Sequence, residues 1–157
     1  MFSKTDHYQK LRQKTVKMFL AAVFLFAFFF FFSFLDVKPL YAATKTWDGG
    51  VTDANWSTAE NWSDDTVPQS GDDVVFTSGK SATIDAGFTN SIGTLTVGPG
   101  YTNTITQSTD LTISGGYTQY SGTFSRSSGT LSVGGSFSHQ GGTFSSSSLT
   151  LSGSGAI

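Results

Sequence analysis

From Thr77 to Ile157 the chain consists of short runs in which apolar and polar residues alternate, each run closed by Gly or Ser. A period of two places successive side chains on opposite faces of a β-strand, so Leu111 and Ile113 face one way and Thr112 the other. The runs also recur. Written from each Leu, the units are Leu95-Thr-Val-Gly-Pro-Gly-Tyr101, Leu111-Thr-Ile-Ser-Gly-Gly-Tyr117, Leu131-Ser-Val-Gly-Gly-Ser-Phe137 and an incomplete Leu149-Thr-Leu-Ser-Gly-Ser-Gly155, spaced 16, 20 and 18 residues apart. Turn residues divide each unit into three strands. In the second unit these are Leu111 to Ile113, Tyr117 to Tyr120 and Thr123 to Ser125; in the third, Leu131 to Val133, Phe137 to Gln140 and Thr143 to Ser145.

Stacked in register, the units form columns: Leu95/Leu111/Leu131/Leu149, Val97/Ile113/Val133/Leu151, Tyr101/Tyr117/Phe137 and Ile105/Phe124/Phe144, with His139, Gln119 and Asn103 forming a polar one. So short a unit cannot bury its own apolar face, and neighbours have to stack, which is the mark of a solenoid. The fold expected is all-β, a right-handed parallel β-helix with three strands per turn, carrying Thr96, Thr112, Ser132 and Thr150 on its outer face. A β-sandwich is the alternative, since short strands with regular turn signals suit it as well.

The pattern before Thr77 is different. A basic segment from Lys10 to Lys17 precedes an apolar run, Met18 to Leu35 with only Ser33 polar, and then Pro39-Leu40-Tyr41-Ala42-Ala43. Basic end, apolar stretch and small residues in that order constitute an export signal. Cleavage after Ala42 leaves Leu40 at the −3 position, and cleavage after Ala43 leaves the bulkier Tyr41 there, so the first is preferred. The alternative is a membrane anchor formed by residues 18–35, because eighteen residues at about 1.5 Å each nearly span a bilayer core. Three regions result: 1–42, signal peptide or uncleaved anchor helix; 43–76, a Trp/Asp-rich cap segment; and 77–157, β-helix repeats that stop inside an incomplete turn.

Splitting the chain this way changes what its composition means. Six of the nine Lys and Arg residues and most of the Phe lie in 1–42. From Ala43 onward, nine carboxylates face Lys45, Lys80 and Arg126, a net charge of −6. Nucleic acid is excluded as a partner on that balance, because phosphate neutralisation needs clustered cations. With no cysteine, neither a disulfide framework nor a thiolate metal site is available, and stability rests on an apolar core.

The motifs Trp47-Asp48-Gly49-Gly50, Asn55-Trp56-Ser57, Asn61-Trp62-Ser63 and Pro68-Gln-Ser-Gly71-Asp72-Asp73-Val74-Val75-Phe76 stand ahead of the Gly/Ser/Thr repeats. Together they resemble the N-terminal region of bacterial secreted β-helix surface proteins of the autotransporter and adhesin type, over nearly all of the chain after the leader. The resemblance implies a surface or secreted protein and carries over no catalytic residue. Such proteins are long, whereas here no barrel, sorting signal or anchoring domain follows the repeats, so a fragment of a larger protein is expected, or an end completed by another subunit. An open solenoid end exposes strand edges, and edge-to-edge self-association is expected with it.

Three sets of residues are candidates for chemistry. Asp53, Asn55 and Asp64 offer oxygen ligands in a spacing that approaches a calcium loop, but Thr58 stands where that loop needs Gly and Asp replaces the closing Glu. The competing role for these residues is turn formation and capping. Trp47, Trp56 and Trp62 either form a platform that stacks on a sugar or plug the apolar end of the helix. His139 is a lone His after the leader, where no second His can share a metal and no carboxylate partners it as a base. A polysaccharide-cleaving β-helix enzyme needs a converging acid and base. The repeat faces supply Thr, Ser, Asn and Gln instead, so no enzyme and no cofactor is expected. The sequons at Asn55 and Asn61 matter only in a glycosylating host. The expectation is an exported structural or adhesive module that meets a surface glycan or protein ligand, and the membrane only through its N-terminal helix.

Overall fold

The computed structural model describes residues 12–19 and 42–153. The chain divides into two compact units, Met1–Leu40 and Tyr41–Ile157. In the first, residues 12–19 are helical and exposed. The apolar run that would signal export or anchor the chain lies, from residue 20 onward, outside the described residues. Among those described, no helix is long and apolar enough to cross a membrane. Ala42 and Ala43, on either side of the preferred cleavage point, are exposed residues at the start of the second unit.

The second unit is a parallel β-helix. A partial first turn holds β1 (Thr44–Thr46) and a single 3-10 turn at Ala59–Asn61. The second holds β2 (Asp73–Phe76) and β3 (Ala82–Ile84); the third β4 (Leu95–Val97), β5 (Thr104–Gln107) and β6 (Leu111–Ile113). The fourth holds β7 (Tyr117–Gln119), β8 (Thr123–Arg126) and β9 (Leu131–Val133); the fifth β10 (Phe137–His139), β11 (Thr143–Ser145) and β12 (Leu149–Leu151). Strands at the same position in successive turns pair in parallel to form three sheets, ordered β1-β2-β4-β7-β10, β3-β5-β8-β11 and β6-β9-β12. Ile92, bridged to Ile113, begins the third sheet one turn early.

The strands alternate as the pattern requires. In β4, Leu95 and Val97 are fully buried and Thr96 between them is not. The interior columns are Val74/Leu95/Tyr117/Phe137 on the first sheet, Ala82/Ile105/Phe124/Phe144 on the second and Leu111/Leu131/Leu149 on the third. Tyr117 stacks on Phe137 at 4.9 Å between ring centres, and Phe124 on Phe144 at 5.4 Å. Where each strand is only three or four residues long, this interior stacking and the inter-turn backbone bonds supply the stability that no single turn has.

The structure corrects the phase of the first repeat unit. Leu95 lies beside Val74 and Tyr117 in the first sheet, not beneath Leu111, which belongs to the third. Val97 pairs with Gln119, so the column above it is Phe76/Val97/Gln119/His139, and Asn103 takes no part in it. Tyr101 sits in a turn, its hydroxyl donating to the Lys80 and Thr104 carbonyls, rather than under Tyr117. The cause is the degeneracy of a three-residue strand: an in-out-in Leu-Thr-Val looks the same on any of the three faces. The 16-residue spacing carried the warning, because successive partners such as Leu95, Tyr117 and Phe137 lie 22 and then 20 residues apart. Tyr120 and Gln140, expected to end strands, fall in turns.

Glycine is needed where turns stack backbone on backbone. The Gly115 N–H donates to the Gly93 carbonyl at 2.7 Å, and the Gly135 N–H to Gly115 at 2.7 Å. A Cβ on Gly115 would lie 2.7 Å from the Gly93 oxygen and 3.1 Å from Thr94 Cγ2. Replacing Gly115 by Ala is therefore expected to force adjacent turns apart and cost about 1–3 kcal/mol, in the range of core overpacking. Equilibrium urea unfolding measures it; a loss below about 0.5 kcal/mol, within the range of ordinary surface substitutions, would contradict the tight stacking.

Candidate functional site

The Trp set and the Asp/Asn set singled out for chemistry gather at the first turn, where the chain wraps from β1 through the 3-10 turn to β2, whereas His139 lies in β10 of the fifth turn. β1 directs its alternate side chains inward, so that Lys45 heads the Val74/Leu95/Tyr117/Phe137 column and Trp47, one residue past the strand, stacks on Phe76. Trp62 lies opposite Trp47 through an antiparallel bridge, and Trp56 follows Asn55, which is bridged to Thr83 of β3. The three indoles meet edge to face, Trp62 being 5.2 Å from Trp47 and 5.4 Å from Trp56 between centres. Trp56 also stacks near Phe76 and meets the edge of Phe88.

This arrangement corrects the sugar-platform alternative. Trp47 is 1% exposed, and Trp56 and Trp62 are 0% exposed, so none of the three offers a ring face to a ligand. They fill the interior of the first turn, where large aromatic rings remove the most apolar surface from water. The Trp62 indole N–H donates to the Trp56 carbonyl at 2.9 Å and that of Trp47 to the Lys80 carbonyl at 3.0 Å. The Trp56 indole N–H has no partner among the described residues.

The calcium candidates are likewise committed elsewhere. Asp53 Oδ1 accepts from the Asn55 N–H at 3.0 Å and from Asn61 Nδ2 at 2.9 Å, while Oδ2 accepts from the Thr58 hydroxyl at 3.1 Å. Asp64 is paired with the Lys45 ammonium at 2.6 Å, so a protein cation already holds the carboxylate that would have closed a calcium loop. Lys45 also donates to the Thr66 hydroxyl. The Lys45 side chain is buried, whereas that of Asp64 is half exposed. The Asn55 N–H bond is the main influence holding the Asp53 carboxyl below the usual range, and the Lys45 bond does the same for Asp64. Among the described residues, no three His, Asp or Glu side chains converge on one point.

Sequence reasoning missed the residue that organises this turn. Asn61 is 0% exposed; its Nδ2 donates to the Asp53 carbonyl, Asp53 Oδ1 and the Asn55 carbonyl, and its Oδ1 accepts from the Val51 N–H. Its own carbonyl accepts from the Asp48 and Gly49 N–H groups. An amide so engaged has no room for a glycan in the folded protein, despite its sequon. Gly50 passes so close to the Glu60 carbonyl that a Cβ would collide with it. In the sequence, Asn61 carried the signals of a sequon and a turn residue, neither of which points to a buried centre. Gln107 and Gln119 had a clearer one, since both stand at inward parity and both are 0% exposed. Gln119 accepts from the Tyr117 hydroxyl and donates to the Ser121, Gly122 and Thr143 carbonyls, tying two turns together. Arg126 ends β8 and donates to the Gly129 carbonyl and the Ser147 hydroxyl of the next turn.

Asp85 links the first turn to the second by accepting from the Ser57 hydroxyl at 2.7 Å, the Ser57 N–H at 3.0 Å and the Gly87 N–H at 3.0 Å. Burial is the largest single influence and opposes its charge, but the bonds from Ser57 and Gly87 together outweigh it and leave the carboxyl below its usual value. A group depressed on folding contributes stability above its unfolded pKa of about 3.9, and that contribution is lost as pH falls through the lower folded value. Urea midpoints are therefore expected to stay level from about pH 7 to 5 and to fall below about pH 4. Asp85→Asn, which removes one titrating group, should make the acid loss smaller. An equal acid loss in wild type and variant would contradict the assignment.

The fold and its first turn define the protein as a parallel β-helix repeat protein whose polar groups at that turn are engaged in holding the chain's path. Comparison with family models, with curated proteins and with solved structures returned no match.

Proposed function

We propose that the chain is an exported structural or adhesive β-helix module of a bacterial cell-surface or secreted protein, of the autotransporter and adhesin type that its motifs resemble. The observation that carries this reading is the outer surface. Each sheet bears a ladder of hydroxyl side chains in register: Thr96/Thr118/Ser138 on the first, Thr83/Thr106/Ser125/Ser145 on the second and Thr112/Ser132/Thr150 on the third. A repeated array of one chemistry is suited to displaying an extended surface, and to many weak contacts acting together, more than to concentrating reactive groups at one point. The basic, apolar and Ala-rich order of residues 10–43 supports delivery outside the cytoplasm.

The test is expression of the full chain, leader included, in a bacterium with intact export, followed by fractionation, external protease treatment and carbonate extraction of membranes. Recovery outside the cytoplasm, with binding to cells or to immobilised glycans or matrix proteins, supports the reading. Carbonate-resistant membrane protein would assign residues 18–35 as an anchor. Retention in the cytoplasm would overturn the proposal.

A further inference from the structure

The start of the β-helix contains a carboxylate without a countercharge. Asp72 is 3% exposed, and among the described residues no Lys, Arg or His lies within ion-pair distance of it. Its Oδ2 accepts from the Gln69 N–H at 2.8 Å, which closes the turn preceding β2. Its Oδ1 accepts at 2.8 Å from the N–H of Ala43. Ala43 is held in return, because its carbonyl accepts from the Asp73 N–H at 2.8 Å. The next residue, Thr44, begins β1, the outermost strand of the first sheet, in register with Asp73. A buried carboxylate satisfied by neutral amides alone is unfavourable, and a cation in the same place relieves it.

The nitrogen facing Asp72 is the one that cleavage after Ala42 would set free. We propose that Asp72 is the receptor for the processed N-terminus: proteolysis between Ala42 and Ala43 creates an α-ammonium that forms a buried ion pair with Asp72 and locks the edge strand β1. The proposal rests on the export reading above. The bond that breaks is the amide between the exposed residues Ala42 and Ala43, hydrolysed by an export peptidase. Water supplies a hydroxyl to the Ala42 carbonyl carbon and a hydrogen to the Ala43 nitrogen, which then takes a further proton from solvent. Near neutral pH an α-amino group is mostly protonated, and its hydrogen bond to a carboxylate is about twice as strong as one from a neutral amide. Processing thus adds the missing charge at the donor position already in place, without moving β1. Cleavage one residue later would remove Ala43 and with it both bonds to Asp72 and Asp73.

Two measurements separate this proposal from the reading it rests on. The exported product of the full chain is sequenced from its N-terminus by mass spectrometry; Ala43 is expected first, and a product beginning at Met1 or Thr44 overturns processing at this bond. The ion pair is tested on chains beginning at Ala43, which keep all but the first two residues of the second compact unit, with the amine free or Nα-acetylated and with Asp72 or Asp72→Asn. The free-amine wild type is expected to have an unfolding equilibrium constant about tenfold smaller than its acetylated form, and the ratio should fall to about one in Asp72→Asn. Equal stability of the free and acetylated wild-type chains overturns the ion pair even where cleavage at Ala43 is found. Should Asp72→Asn fail to fold, a chain one residue longer, beginning at Ala42, replaces it: the tenfold advantage should be lost, and its persistence overturns the proposal.

Discussion

Replacing Phe124 by Ala is expected to destabilise the β-helix by about 3–5 kcal/mol, the range for removing a buried aromatic ring. Phe124 is 0% exposed in the middle of its column, between Ile105 below and Phe144 above. Its ring meets Tyr117 edge to face at 5.7 Å and stacks on Phe144 at 5.4 Å. Both contacts would be lost, and each aromatic pair adds about 0.5–1.5 kcal/mol beyond burial. The cavity would open between turns, and in a solenoid each turn relies on its neighbours, so the loss should spread to the whole of β10 to β12. Phe144→Ala, at a partly exposed position one turn further on, should cost less, about 1–2 kcal/mol. Urea unfolding followed by Tyr and Trp fluorescence measures both. Equal effects at the two positions would argue against a core that tightens toward the middle turns.

Trp62→Ala is expected to lose a comparable 3–5 kcal/mol or so, because it empties the centre of the first turn. A finer contrast lies between two conservative changes. Trp62→Phe keeps most of the apolar contact but removes the indole N–H that satisfies the Trp56 carbonyl, leaving a buried acceptor unpaired at a cost of about 1–3 kcal/mol. Trp56→Phe removes a buried N–H that has no partner among the described residues, so the ring volume lost is partly offset by the end of an unfavourable burial. Trp56→Phe should therefore be the milder of the two. The reverse order would indicate that the Trp56 indole is hydrogen-bonded in solution. These variants act on the interior of the first turn, since both rings are fully buried.

The interior role of the tryptophans also explains why the Asp and Asn residues around them hold so many hydrogen bonds. A turn wound around three indoles has few regular strand partners for its backbone, and side chains such as Asn61, Asp53 and Asp85 supply the missing acceptors and donors. Their clustering in the sequence resembles a ligand set because both tasks need oxygen atoms at close spacing. Only the partners distinguish them: Asp64 meets Lys45, and Asp53 meets amides and a hydroxyl. The outward faces of the three sheets carry the hydroxyl ladders, while the first turn also leaves Asp48, Glu60 and Asp65 exposed.

By itself the sequence pointed to short parallel strands in a stacked, three-sided coil, with a β-sandwich as the alternative that the structure then removed. A period of two fixes which side chains enter the core, and units too small to bury an apolar face alone have to stack. It also determined the column Ile105/Phe124/Phe144 and the later members of three others, from Leu111, Ile113 and Tyr117 onward, where successive turns have nearly equal length. The tertiary structure alone decided which face each strand joins. Leu95-Thr-Val is compatible with any of the three, and its place beside Tyr117 follows from the longer turn between β4 and β5, whose Tyr101 folds back to bond Lys80 and Thr104. It alone also decided that the three tryptophans are core, that Asn61 is the centre of the first turn, and that the Ala43 nitrogen meets Asp72. Those outcomes depend on contacts between residues 21 or more apart, or on a side chain's direction within an irregular turn, and local periodicity carries information about neither.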